Sequence, residues 1–179
     1  MKKEIGNALA LYPTPLAVVG AMVDGKPNYV LVGHLGIIGH DRIMVSLAKP
    51  HYTNKGIKQT HHLTVNMVSV DMLPKADNVG CVSGYTESKE NVFAYHTAKT
   101  GAPLIDESPL VMDCEVADIY ETEGFESFIC KIVATYADED ILNENGKIDY
   151  EAFKPVLFEK PTYQYLRTGE VIGDCMKQH

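Results

Sequence analysis

From Leu110 onward the chain alternates. Leu110, Met112, Cys114 and Val116 stand against Asp113 and Glu115, and beyond Gly124 the residues Phe128, Cys130, Ile132 and Ala134 repeat the period as far as Tyr136. A period of two places one set of side chains on one face of a strand. Two such runs joined by a turn form a long antiparallel hairpin that hides one face and wets the other. Nothing upstream shows the regular exchange of strand and helix that a parallel sheet requires.

The earlier segments fit the same architecture. Tyr12-Pro13-Thr14-Pro15 fixes an extended entry to Leu16–Val23, an apolar run of strand type. Asp24-Gly25 is a two-residue hairpin signal between that run and Tyr29–Val32. Ile43–Ala48 reads as a further strand, and His62–Val68 as a half-buried one with Leu63, Val65 and Met67 opposite His62, Thr64 and Asn66. Short helices are expected over Thr53–Thr60, where Gly56 costs ~1 kcal/mol relative to alanine, and from Asp71-Met72-Leu73-Pro74 towards Cys81. Thr86 could cap another, with Lys89, Val92, Phe93 and His96 near one face. Asn143–Gly146 is a turn and Tyr163–Leu166 a last strand. With no repeat and no linker, residues 1–179 read as one mainly β domain with peripheral α: a closed or half-open antiparallel barrel, since closure removes exposed strand edges.

Charge and cysteine usage exclude several classes. The chain has 16 basic and 24 acidic side chains, a net charge of −8, and no basic stripe, so nucleic acid and anionic membrane surfaces are poor partners. No run approaches the ~20 apolar residues of a membrane span. The N-terminus lacks an apolar signal core, so the expected compartment is the cytoplasm. Cys81, Cys114, Cys130 and Cys175 form no C-x-x-C pair and read as free thiols, with Cys81 a small buried hydrophobe rather than a redox centre. His61 and His62 point to opposite faces of a strand and cannot share one metal, so no metal is expected.

The stretch Asn28–Gly56 carries the chemistry. Gly33, Gly36 and Gly39 interrupt an apolar segment, and glycine within a strand marks a bulge, a bend or a close approach to the backbone, room for a flat ligand. The spacing matches neither the dinucleotide fingerprint nor the P-loop. Lys49-Pro50-His51-Tyr52-Thr53-Asn54-Lys55 brings cations and hydroxyls to an expected helix start with Thr53 as N-cap. Free N–H groups beside lysine favour an anion, phosphate being the obvious one. An ordinary solvated turn would read the same way.

The order of these motifs resembles the flavin reductase-like, FMN-binding split-barrel family, flavoredoxin type. The residues that carry it are Lys26-Pro27-Asn28 leading into Tyr29–Gly33, the strand with Ser46, the turn His51-Tyr52-Thr53, Val65-Asn66, Val82-Ser83-Gly84 followed by Lys89, and the ending Tyr165–Gly173. The resemblance implies an antiparallel Greek-key split β-barrel, a homodimer, and FMN near the subunit interface. By position, Val30, Leu31, Val32, Gly33 and His34 would line the flavin ring through backbone groups. Ser46, Leu47 and Ala48 would meet the ring or ribityl chain, His51, Thr53, Asn54 and Lys55 the phosphate, and Ser83, Gly84 and Lys89 would close the site.

The implied activity is NAD(P)H-dependent flavin reduction, or electron transfer through bound FMN to a small-molecule or protein acceptor. No acid–base triad is expected, because flavin carries the redox step. Leu31, Gly33 and His34 depart from the Thr, Ser and aromatic residues of many relatives, and His51 stands where arginine is common. Two alternatives stay open: a non-catalytic flavoprotein carrier that holds FMN, and, motivated by Leu31, Gly33 and His34, a split barrel that has lost FMN and binds another ligand such as haem or serves only as a dimeric scaffold.

Overall fold

A computed structural model describes residues 1–177. The main sheet has seven strands, all paired antiparallel, and curls into a half-barrel. In chain order the elements are β1 (Thr14–Pro15), β2 (Ala17–Val23), β3 (Lys26–Val32), β4 (Leu35–Ile37), β5 (Arg42–Ala48), α1 (Thr53–Thr60), β6 (His62–Met67) and α2 (Leu73–Cys81). There follow β7 (Tyr95–Thr97), β8 (Pro103–Ile105), β9 (Leu110–Glu121), β10 (Phe125–Ala137), a 3-10 turn over Glu139–Ile141, α3 (Tyr150–Phe153), β11 (Val156–Glu159) and β12 (Gln164–Arg167). The large sheet runs β3-β2-β6-β9-β10-β5-β4, while β1-β11-β12 and β7-β8 form two small sheets against it. This is the split-barrel architecture, mainly β with few helices.

Burial follows the side-chain period. Ala17, Val19 and Ala21 enter one core with Val45, Leu63, Val65 and Phe128, inside the curl of the sheet. Leu16 and Val18 point the other way, into a second core with Tyr29, Val68, Ala76 and Phe93 beneath α2. Asp24 and Gly25 form the expected turn at φ 51° and 80°.

Four expectations are corrected. Strand β6 is buried on both faces, not half-buried: Thr64 and Asn66 are 0% exposed because the β7–β8 hairpin covers them. Asn66 donates to the Val18 carbonyl and accepts from the Ile105 amide (both 2.9 Å), while Thr64 donates to the Pro103 carbonyl, so polar side chains are buried with their bonds made. No helix follows Thr86. That segment is a series of turns, pulled back so that the Lys89 ammonium reaches the carbonyls of Val79 (2.7 Å), near the end of α2, and Tyr29 (3.0 Å). A cation at the carbonyl end of a helix is favourable, and it outweighs a weak local helix pattern. The ending Tyr165–Gly173, which by the resemblance would be a C-terminal strand, is strand only as far as Arg167. The four thiols are free, but only Cys114 and Cys130 are buried, whereas Cys81 is exposed. Burial pushes the Cys130 thiol up to about 12 and raises Cys114 as well.

Gly56 fixes how α1 sits. A Cβ there would lie 2.4 Å from the Met22 carbonyl oxygen and 2.6 Å from a Val23 methyl, so the helix packs backbone to backbone on the end of β2. The sequence marked this residue as a helix weakness. Gly56→Ala should therefore destabilise the protein by about 1–3 kcal/mol, the usual cost of overpacking, although alanine gains ~1 kcal/mol of helix propensity. Chemical denaturation of the two proteins checks the sign; a more stable alanine variant would show that the contact relaxes freely.

Candidate functional site

Two clefts lie side by side where α1 meets the barrel. The first, of about 240 Å³, has a floor of Leu31, Val32, Gly33 and His34 from the end of β3 together with Ser46, Leu47 and Ala48 of β5. The second, of about 260 Å³, lies around the start of α1 and is lined by Val30, Thr53, Ser83, Gly84 and Lys89 among others. His51 lines both and joins them. Neither contains an acidic residue, in a chain of net charge −8. A third cleft shares Lys89 and Gly84 with the second but carries Asp24 and Glu87.

The start of α1 is held in place by polar contacts buried behind these clefts. Thr53 is the first helical residue rather than the N-cap, a position that falls to Tyr52, and its hydroxyl accepts from the Asn28 amide at 2.7 Å. Asn54 donates to the Ala48 carbonyl (3.2 Å) and to Glu126 (2.7 Å), and Glu126 also takes Lys58 at 2.7 Å. Asn54 therefore anchors the helix and lines neither cleft. Lys55 lines neither as well: its ammonium meets Asp24 at 2.5 Å and lies over the Tyr52 ring. The remaining thirteen residues singled out from the sequence all line one cleft or the other.

The cations that do reach the clefts are placed differently. Lys89 is 4% exposed and bonded to two carbonyls, with no carboxylate contact among the described residues. Burial lowers its pKa, partly offset by Glu87. An ammonium has three donors, which leaves one for a guest. His51 and His34 both titrate below the usual histidine range, chiefly through burial, with Lys89 and Lys160 respectively adding repulsion. Both are thus neutral at pH 7. His34 Nε2 sits 3.0 Å from the Tyr12 hydroxyl, and Ser46 shares a hydrogen bond with Ser127 at 2.9 Å.

Four residues of the first cleft escaped the sequence reading: Phe125, Phe158, Lys160 and Tyr163. The last three come from the β11–β12 hairpin, and the signal for them was the aromatic density of Phe158, Tyr163 and Tyr165 near the end of the chain. They also explain Gly33. A Cβ at that position would stand 2.7 Å from the Phe158 ring, so the group that approaches this backbone is a side chain of the protein itself. Gly36 and Gly39 meet only ordinary contacts at 3.6 Å. Among the described residues no cluster of His, Cys, Asp and Glu could hold a metal, and no helix is long and apolar enough to cross a membrane.

An apolar slot joined through His51 to a polar pocket with a buried ammonium fits a flat ring carrying a phosphate, and so fits FMN. The neutral histidines have a consequence for stability. The unfolded chain protonates them near ~6.5 while the folded chain resists, so stability should fall as pH drops below that value. A His34→Gln/His51→Gln double variant should lose less stability than the parent between pH 7 and pH 5 in denaturant titrations. Equal losses would mean that the two rings protonate freely in the fold.

The profile of the flavin reductase like domain matches residues 9–167. Flavoredoxin from Methanosarcina acetivorans superposes with a TM-score of 0.95 at 30% identity, covering 99% of this chain and 97% of that one. Flavoredoxin of Desulfovibrio vulgaris gives 0.92 at 28%, covering 99% of both. The FMN-binding protein from Thermus thermophilus shares the fold at 0.82 and 18%, covering 97% of each chain. A search of curated protein sequences found no match. By the extent of the profile match and by its fold, the chain belongs to the flavin reductase-like family of FMN-related split-barrel oxidoreductases.

Proposed function

We propose that this protein binds FMN across the two joined clefts and uses it as an NAD(P)H-dependent reductase. The observation that carries the reading is the pair of acid-free clefts meeting at His51, one walled by Phe125, Phe158 and Tyr163, the other holding Lys89. When bound, FMN supplies the redox chemistry, taking a hydride from a nicotinamide and passing electrons to an acceptor. The residues of the chain bind, orient and exclude water. The backbone from Val30 to His34 and from Ser46 to Ala48 supports the ring, which explains how Leu31 and Gly33 serve without polar side chains. In the second cleft the Tyr52 and Thr53 amides at the start of α1, the Ser83 hydroxyl, His51 and Lys89 receive the phosphate. Asn54 and Lys55 hold the helix rather than the ligand.

Protein loaded with FMN and freed of excess should keep the visible flavin bands and lose them on addition of NADH or NADPH. A protein that retains no FMN would end the reading. The flavoredoxin names of two similar structures favour a second one, an electron carrier, in which FMN stays bound but neither nucleotide bleaches it. Lys89 tests the phosphate assignment. Lys89→Met should weaken FMN ~10- to 100-fold, the scale of one hydrogen bond to a charged group, but leave riboflavin, which lacks the phosphate, nearly unchanged. Equal weakening of both would make Lys89 a fold residue only, and Lys55→Met should change neither.

The functional unit we propose is a homodimer of single-domain chains. Ile37 and Ile38 support it, being 87% and 48% exposed at the end of edge strand β4, just beyond His34 in the first cleft. An unpaired apolar edge of this kind favours association. Sedimentation should give twice the chain mass, and an Ile37→Lys/Ile38→Lys variant the chain mass; an unaltered variant dimer would exclude this edge.

A further inference from the structure

The β11–β12 turn forms the wall of the first cleft that faces the β3 and β5 backbone. It is built to stay in place. Phe158 packs on Gly33, closer than any Cβ there would permit, and is flanked by the rings of Tyr12, Tyr163 and Tyr165 with centroids 5.9–6.4 Å away. Two residues on, the turn closes by a bond from the Tyr163 amide to the Lys160 carbonyl at 3.2 Å, with Tyr163 at φ 56°. The neighbouring carboxylate, Glu159, is consumed inside the turn, where it accepts from the amide and hydroxyl of Thr162. Lys160 therefore has no ion-pair partner among the described residues, and it lines the cleft beside Tyr163 and His34.

The chemistry of this wall is specific. With His34 neutral, Lys160 is the fixed positive charge among the lining residues of the first cleft, which include Phe125, Phe158 and Tyr163 and no carboxylate. We propose that Lys160 makes the part of this cleft beside the β11–β12 turn a binding site for a flat ring bearing a carboxylate or similar anion. The ring packs against Tyr163 and Phe158, and the ammonium pairs with the anion. This specificity rests on the flavin reading of the same cleft, whose inner wall would carry the FMN ring.

The test uses the FMN-loaded protein, with benzoate and benzyl alcohol as probes of equal ring size, followed by perturbation of the flavin absorbance. Benzoate should bind about tenfold tighter than benzyl alcohol, a difference of ~1.4 kcal/mol, and the preference should shrink with added salt. Lys160→Gln should abolish the preference while leaving FMN retention unchanged. FMN retained with no preference for benzoate, or with a preference that survives Lys160→Gln, would overturn the assignment of Lys160. If FMN is not retained, the flavin reading fails separately. Calorimetric titration of the ligand-free parent and Lys160→Gln proteins with the same two probes then decides the anion site: a Lys160-dependent preference upholds it, and no preference removes it.

Discussion

The distance between α1 and β2 governs this structure. Gly56 lets the helix backbone lie against Met22 and Val23, and no other residue allows that separation. Once α1 is so close, its first turn is set by buried side chains, with Asn54 tied to Ala48 and Glu126 and Thr53 tied to Asn28. Glu126, 5% exposed, would be costly if left alone, but it has both an amide and the Lys58 ammonium as partners. These contacts put His51 at the junction of two clefts and leave the helix amides facing the second. Packing in the barrel thereby becomes the geometry of the site.

Lys89 couples the site to the second core in the same manner. Its bonds to Val79 and Tyr29 join α2 to β3, and Phe93, four residues on, packs edge-to-face on Tyr29 at 5.2 Å. The cost of burying an ammonium is offset by carbonyls on one side and by an open polar cleft on the other. Those bonds explain why a lysine occupies a buried position in a loop of turns.

How much of this was legible in the sequence depended on range. Short apolar runs and strand periods of two are local, so β2, β3 and β5 could be read from the first, β6 and the β9–β10 hairpin from the second, and the Asp24-Gly25 turn from its residues. The helix expected after Thr86 failed because its apolar spacing is satisfied equally by turns, and no local pattern reveals that Lys89 is buried. Thr64 and Asn66 look like a wetted face until the β7–β8 hairpin covers them, a contact about forty residues away in sequence. Lys55 and Lys89 look alike as letters near an anion turn. One is taken by Asp24 across a hairpin and the other is drawn inward by two carbonyls, a distinction made wholly by tertiary contacts.

The charge distribution reconciles an acidic protein with two clefts that carry no acidic residue. At physiological salt the Debye length is ~8 Å, so acidic groups elsewhere on the surface act weakly on a guest inside a cleft. What acts there is the local set, which in both clefts lacks carboxylates. Several surface acids are moreover engaged nearby: Asp24 with Lys55, Glu90 with Lys26, Glu121 with Lys49 and Glu107 with Lys75. Exposed pairs of this kind add ~0–1 kcal/mol each to stability. They also occupy Lys26, Lys49, Lys55 and Lys75 on the outside, whereas Lys89 and Lys160 line the two acid-free clefts and make no ion pair among the described residues. Local placement of charge, and not the sign of the total, sets the electrostatics inside these clefts.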